Sequence, residues 1–233
     1  MPIVQNPSLG GNQAAMLTTT THLTAAQIQT LNSTPVDVVP APGAGKIIAV
    51  LGMAFVFHAG ADAYHSASSD TLFGQYDGTD NDLVIPEVKN LITNALSGFD
   101  YESGSCQAPG DLLPGDDAEA VQIQSGQNYD LGPIVTAALG AGGLGYAIGD
   151  TGIINFNSAD ATYEVLTVGA GGAVETFSIT GPGTAYATGN GVATATGGAQ
   201  PGVGVGFTVN ITAVQLGNGT LKVVTYYQII PVP

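Results

Sequence analysis

The sequence predicts a mainly β protein: a β-sandwich, jelly-roll-like host domain with an inserted small Gly-rich β module and one or two short helices. Three observations carry this. The 233 residues are 44% hydrophobic and only 9% charged, too apolar for a disordered chain. There are 34 glycines, too many for a helical bundle, and they punctuate short β-branched and aromatic runs. The texture also changes near residue 136 and reverts at 217, so a strand-rich frame flanks a Gly-rich stretch.

The elements follow in order. Residues 1–15 predict an N-terminal arm, with Pro2, Pro7, adjacent glycines and few apolar anchors. "LTTTTHLT" is a β-branched strand. In "TAAQIQTLNSTP", Thr24 and Gln27 stand at capping-box spacing, Ala25, Ile28 and Leu31 line one side of a short helix, and Pro35 ends it. Val36–Val39 and Lys46–Phe57 are strands. The second is apolar in both alternating sets, so both of its faces must be covered, by a second sheet or by another chain. That makes Ile48, Val50, Phe55 and Phe57, with His58 and Tyr226, the candidate residues of a homotrimer interface. "TLFGQY" and "AVQIQSG" are further strands. Between them "PEVKNLITNALSG" has helical spacing at Val88, Leu91, Ile92, Ala95 and Leu96, with Pro86 at its start and Gly98 past its end.

Residues 136–216 contain a weak repeat. "GYAIGDTGIINF" from Gly145 resembles "AYATGNGVATAT" from Ala185, and each leads into an alternating strand. The final stretch, "GTLKVVTYYQIIPVP", is a long strand with Leu221, Val223, Thr225, Tyr227 and Ile229 on one face and Val224, Tyr226 and Ile230 on the other. The organisation expected is an arm at 1–15, a host domain at 16–135 plus 217–233, and an inserted module at 136–216.

Charge excludes several function classes. Lys46, Lys89 and Lys222 are the basic side chains, Arg is absent, and the formal net charge is −15. Nucleic-acid binding needs many phosphate-neutralising groups, and anionic membranes repel such a chain, so neither is an expected partner. Cys106 is the single cysteine and makes no internal disulfide. The N-terminus lacks the basic start and apolar core of a signal peptide, and the apolar run at 47–57 is too short for a membrane helix.

Each apparent motif has a plainer reading. "APGAGKI" evokes a phosphate-binding loop, but Pro40 stands where the first Gly belongs, Ile47 replaces the hydroxyl residue, and a β-rich run follows instead of a helix. Gly140, Gly142 and Gly145 match a dinucleotide fingerprint, again without its helix. Asp77, Asp80 and Asp82 are weak candidates for a structural cation, without the Gly and Glu of a calcium loop. Asp116, Asp117 and Glu119 form an acidic turn whose simple explanation is exposure. His22, His58 and His65 are scattered, and Cys106 has no activating neighbour. No catalytic residue, cofactor or metal site is expected, and the chain is not expected to be an enzyme.

"LTAAQIQTLNSTPVDVVPAPGAGKIIAVLGMAFVF" and the closing "LKVVTYYQIIPV" resemble segments of small structural proteins of tailed bacteriophages. "GLGYAIGDTG" and "GNGVATATGGAQPGVG" resemble β inserts in phage head and tail appendages. The resemblance implies a virion protein made in the host cytoplasm and placed on the capsid exterior. It would be a homotrimeric head decoration (cement) protein with the major capsid protein as partner, or else a receptor-binding head or tail appendage that recognises a host surface glycan. In this reading Pro42, Gly43 and Gly45 turn the chain at a sheet corner, and Lys46 pairs with a carboxylate.

Overall fold

A computed structural model describes residues 15–67, 71–77, 83–89, 91–93, 98–102, 119–154, 161–196 and 204–231. The chain is mainly β, with strands β1 (Leu17–Leu23), β2 (Val36–Val39), β3 (Lys46–His58), β4 (Thr71–Tyr76), β5 (Leu83–Lys89), β6 (Gly98–Glu102) and β7 (Val121–Ser125). These are followed by β8 (Ile134–Leu144), β9 (Thr151–Ile154), β10 (Ala161–Val168), β11 (Val174–Pro182), β12 (Gly189–Thr196), β13 (Val205–Val214) and β14 (Thr220–Pro231). A short helix α1 (Ala25–Gln29) follows β1. Its capping box forms as the sequence predicts: the Gln27 side chain accepts from the Thr24 N–H while the Thr24 hydroxyl accepts from the Gln27 N–H, and Ile28 is buried.

Two four-stranded sheets form a sandwich. The front sheet has the order β1-β14-β3-β6 and the back sheet β2-β7-β4-β5. Numbered one to eight along the sandwich, these strands run 1-8-3-6 and 2-7-4-5. The antiparallel pairs 1·8, 2·7, 3·6 and 4·5 nest like one long hairpin, and the added pairs 8·3 and 7·4 come from rolling that hairpin up. That is the jelly roll. Its core joins Leu23, Ile48, Phe55 and Val223 from the front sheet to Val38, Leu72, Tyr76 and Ile123 from the back. The Tyr76 hydroxyl donates to the Ile48 carbonyl and the Thr19 hydroxyl to the Val38 carbonyl, tying sheet to sheet.

The third sheet, of six strands in the order β11-β10-β9-β12-β13-β8, is built from residues 134 to 214, between the seventh and eighth strands of the jelly roll. It has its own core, around Tyr146, Tyr163, Val174, Tyr186, Phe207 and Val209. The internal repeat is visible in it. The two copies supply β9 and β12, which pair with each other, and each then pairs with the strand that follows it, β10 or β13. The sheet curls until its edge strands meet. A Cβ on Gly142 of β8 would stand 2.7 Å from the Val174 carbonyl oxygen of β11, so glycine permits that approach.

Two expectations are corrected. The helix expected from Pro86 to Gly98 is absent: Leu83–Lys89 is a strand paired with β4, and β6 starts at Gly98. Pro86 is accommodated because β5 is an edge strand and the register with β4 shifts between Ile85 and Val88. Ala95 and Leu96 lie outside the described residues. The second correction concerns Ile48, Val50, Phe55 and Phe57, which are at most 2% exposed within the single chain and belong to its sandwich core. The back sheet already covers them, so they are not free to meet another copy. His58 is exposed and Tyr226 half-buried on the opposite face of the front sheet.

Candidate functional site

No motif from the sequence assembles into a reactive centre among the described residues. The "APGAGK" segment is an exposed turn in which Gly43 and Gly45 take φ values of 89° and 70°, and Lys46 begins β3. Gly140 and Gly142 lie inside β8 and no helix follows. Asp77 is exposed, while Asp80, Asp82, Cys106, Asp116 and Asp117 lie outside the described residues. His22 is in β1, His58 ends β3 and His65 makes an isolated bridge with Leu131, so the three histidines sit on different segments. Among the described residues no three potential metal-ligating side chains gather, and no helix is long and apolar enough to cross a membrane.

What the structure builds instead is a tightly made junction between the jelly roll and the third sheet. Asp62, on the β3–β4 connection, accepts from Gln215 Nε2 at 3.1 Å and Asn218 Nδ2 at 2.9 Å. Its backbone N–H donates to Asn218 Oδ1 at 3.0 Å, and the Asn218 N–H donates to its carbonyl at 3.3 Å. Gln29 of α1 donates from Nε2 to the Gly217 carbonyl, and the buried Tyr64 hydroxyl donates to the Gly219 carbonyl. Tyr64 also stacks edge-on with Tyr129 at 5.9 Å. Gly132 and Tyr186 exchange both backbone hydrogen bonds at 2.9 Å, which fastens the third sheet from its other side. Beside this junction lies a small, shallow cleft lined by Phe57, Ala59, Gly60, Asp62, Tyr64 and Ile92.

Glycine makes that closeness possible. A Cβ on Gly132 would lie 1.9 Å from the Gln215 carbonyl oxygen, and one on Gly217 would lie 2.4 Å from the Tyr64 ring. Backbone cannot yield as a flexible side chain does. Gly132→Ala is therefore expected to lower stability by about 1–3 kcal/mol, the usual cost of overpacking. Gly189→Ala, whose Cβ would meet only Val192 at 3.9 Å, is the control expected to cost far less. Urea unfolding of the two variants checks the contrast.

The far end of the third sheet differs in character. β8 leaves the junction at Ile134, and its 11 residues span about 33 Å at roughly 3 Å per residue. At its end Leu144 pairs with Val205, and these side chains are 60% and 67% exposed. Ile148 and Leu166, also exposed, flank the place where the Gly149 N–H donates to the Val165 carbonyl. No lysine, arginine or histidine occurs anywhere from 134 to 216. The third sheet therefore ends in an apolar tip without positive charge.

Inside it, Asp150 and Tyr163 are fully buried. One Asp150 carboxylate oxygen accepts from the Ala147 N–H at 2.9 Å, while the other, like the Tyr163 hydroxyl, has no hydrogen-bond partner among the described residues. Burial pushes the Tyr163 phenol up to about 12, and nearby Tyr146 and Asp150 add to the rise.

Sequence reasoning named none of the junction residues. Asp62 and Asn218 are 156 positions apart, and their signal was limited to "GADAY" and "LGNGT", turn-like segments that say nothing of each other.

No protein-family model matches the chain, and no curated protein does. Among solved structures it is similar to a chain in "Structure of infectious bursal disease virus Gt strain", at 12% identity and a TM-score of 0.22, with all of this chain aligned to 47% of that one. The chain thus spans about half the length of that viral chain, and a likeness at this level carries no argument.

Proposed function

We propose that this chain is a non-enzymatic structural protein of a tailed-bacteriophage virion, a trimeric capsid decoration (cement) protein on the head exterior. The observation that carries the reading is the architecture. A jelly roll bears, between its seventh and eighth strands, a second unit with a separate core, fixed through a close junction and ending in a distal tip. Jelly rolls recur in virus capsids and in lectins, an analogy of fold that leaves function to the surfaces. In this reading the jelly roll seats on the lattice of the major capsid protein and the third sheet projects. The charge of −15 suits an exterior that keeps particles apart in solution and away from the packaged genome.

The exposed apolar tip at Leu144, Ile148 and Val205 favours a second reading, an appendage that recognises a host surface glycan. Particles separate the two. A decoration protein gains avidity from many symmetric contacts, so a quantitative gel of purified particles should show hundreds of copies on the order expected for a lattice-wide component. Particles lacking it should assemble, adsorb normally and burst at lower temperature or milder osmotic shock. Heads of normal toughness that fail to adsorb would overturn decoration in favour of receptor binding.

A further inference from the structure

Two Asn-Gly pairs occur in the sequence, Asn190–Gly191 and Asn218–Gly219. Asparagine is a thermolabile residue. It is most labile before glycine, which has no side chain to hinder attack of its own backbone nitrogen on the asparagine side chain. The first pair lies in β12 of the third sheet and the second in the junction, just before β14. Both asparagines are exposed, so access to water does not separate them. What separates them is how each side chain is held.

Asn218 is held at both polar atoms of its side chain, and Asp62 holds both. Nδ2 donates to the Asp62 carboxylate at 2.9 Å, and Oδ1 accepts from the Asp62 N–H at 3.0 Å. Gly60 lets the side chain lie against the backbone: a Cβ there would stand 1.8 Å from Asn218 Oδ1 and 2.8 Å from its Cγ. The side-chain carbon is therefore pinned although the residue is exposed. Asn190 is held differently. Its side chain makes no hydrogen bond among the described residues, and it is the Gly191 N–H that is engaged, donating to Asn210 Oδ1 at 2.8 Å. A Cβ on Gly191 would meet nothing within 4 Å.

We infer that Asn218 is a deamidation site masked by Asp62, protected while the junction is closed and converted when it opens. The chemistry needs only water. The Gly219 nitrogen attacks Asn218 Cγ and loses its proton. The bond from Cγ to Nδ2 breaks, and the amide nitrogen takes up that proton by way of water and leaves as ammonia. Water then opens the five-membered imide at either carbonyl, giving aspartate or isoaspartate. While Asp62 holds Nδ2 and Oδ1, Cγ cannot turn toward the Gly219 nitrogen. A hydrogen bond to a carboxylate is of the stronger, charge-assisted kind, so local opening must come first. Conversion places a carboxylate where Nδ2 stood, 2.9 Å from the Asp62 oxygen. Like charges that close repel, so the junction does not close again as before. The change acts on the fastening of the third sheet whatever the protein's role in a particle.

Peptide mass spectrometry of the purified chain, aged in mildly alkaline buffer, follows both pairs at once. In the folded wild type Asn218 is expected to convert about tenfold more slowly than in the same chain held in urea. Asp62→Ala should restore about tenfold in the Asn218 rate and leave the Asn190 rate unchanged. Asn190 thereby separates a local release from a general loss of the fold. The product can also be made directly. Asn218→Asp should speed hydrogen exchange at the Asp62 and Asn218 amides, while exchange around Phe207 stays as in the wild type. An Asn218 rate equal in folded and urea-held chains, or one unmoved by Asp62→Ala, would overturn the proposal. So would acceleration of both pairs together, or wild-type exchange at the junction in Asn218→Asp.

Discussion

Phe207→Ala is expected to unfold the third sheet while the jelly roll stays intact. Phe207 is 1% exposed and lies edge-on to three rings, Tyr163 at 5.0 Å, Phe177 at 5.3 Å and Tyr146 at 5.8 Å. Removing a buried aromatic ring costs about 3–5 kcal/mol through lost transfer energy and the cavity left behind. Edge-to-face pairs contribute roughly 0.5–1.5 kcal/mol more apiece. Few alternatives can fill the gap, because the neighbouring strands carry glycine, alanine and threonine where larger apolar side chains would be needed. The two cores share no residue among those described, so the loss stays on one side of the junction. Calorimetry of the variant should resolve a low-temperature transition from an unshifted higher one, the kind of departure from two-state behaviour that separate units allow. A single transition that moves as a whole would mean that the junction couples the cores into one cooperative unit.

How much of this was legible in the sequence depended on whether the signal was local. Alternation in "LKVVTYYQII" placed Leu221, Val223, Thr225, Tyr227 and Ile229 on one face, and that face is the buried one or packs on it. The capping box at Thr24 and Gln27 was equally local and formed. β3 was harder. Its two apolar faces required two covers, but apolarity does not say whether a sheet or another chain supplies them. For Ile48, Val50, Phe55 and Phe57 the cover is the back sheet. The stretch after Pro86 shows the same limit: Val88, Leu91 and Ile92 satisfy a helical spacing, whereas the adjacent strand β4 offers a hairpin partner that spacing alone does not weigh. The jelly-roll order, and the meeting of Asp62 with Asn218, arise from pairings between the ends of the chain and its middle, for which a single sequence has no local mark.

Phe55→Asp is expected to abolish the jelly roll. Phe55 is 0% exposed, paired with Val223 on β14 and packed in the core between the two sheets. The substitution removes a buried ring, at about 3–5 kcal/mol. It also leaves a carboxylate without a partner where the surroundings are aliphatic and aromatic. An uncompensated buried charge costs about 3–5 kcal/mol again, unless the group takes up a proton at a comparable penalty. Together these rival the whole stability of an ordinary domain, roughly 5–15 kcal/mol. The variant should therefore lose the higher calorimetric transition or fail to fold, with the third sheet the only part still melting cooperatively. Were Phe55 an interface residue, the same change would release a folded monomer with wild-type circular dichroism and an unshifted transition. Val224→Asp, only one strand away but on the outer face and outside the core, is the control expected to leave the higher transition in place. The pair of measurements tells the two faces of the front sheet apart, the one that carries Phe55 being covered by the back sheet of the same chain. A folded, monomeric Phe55→Asp protein would reverse that assignment.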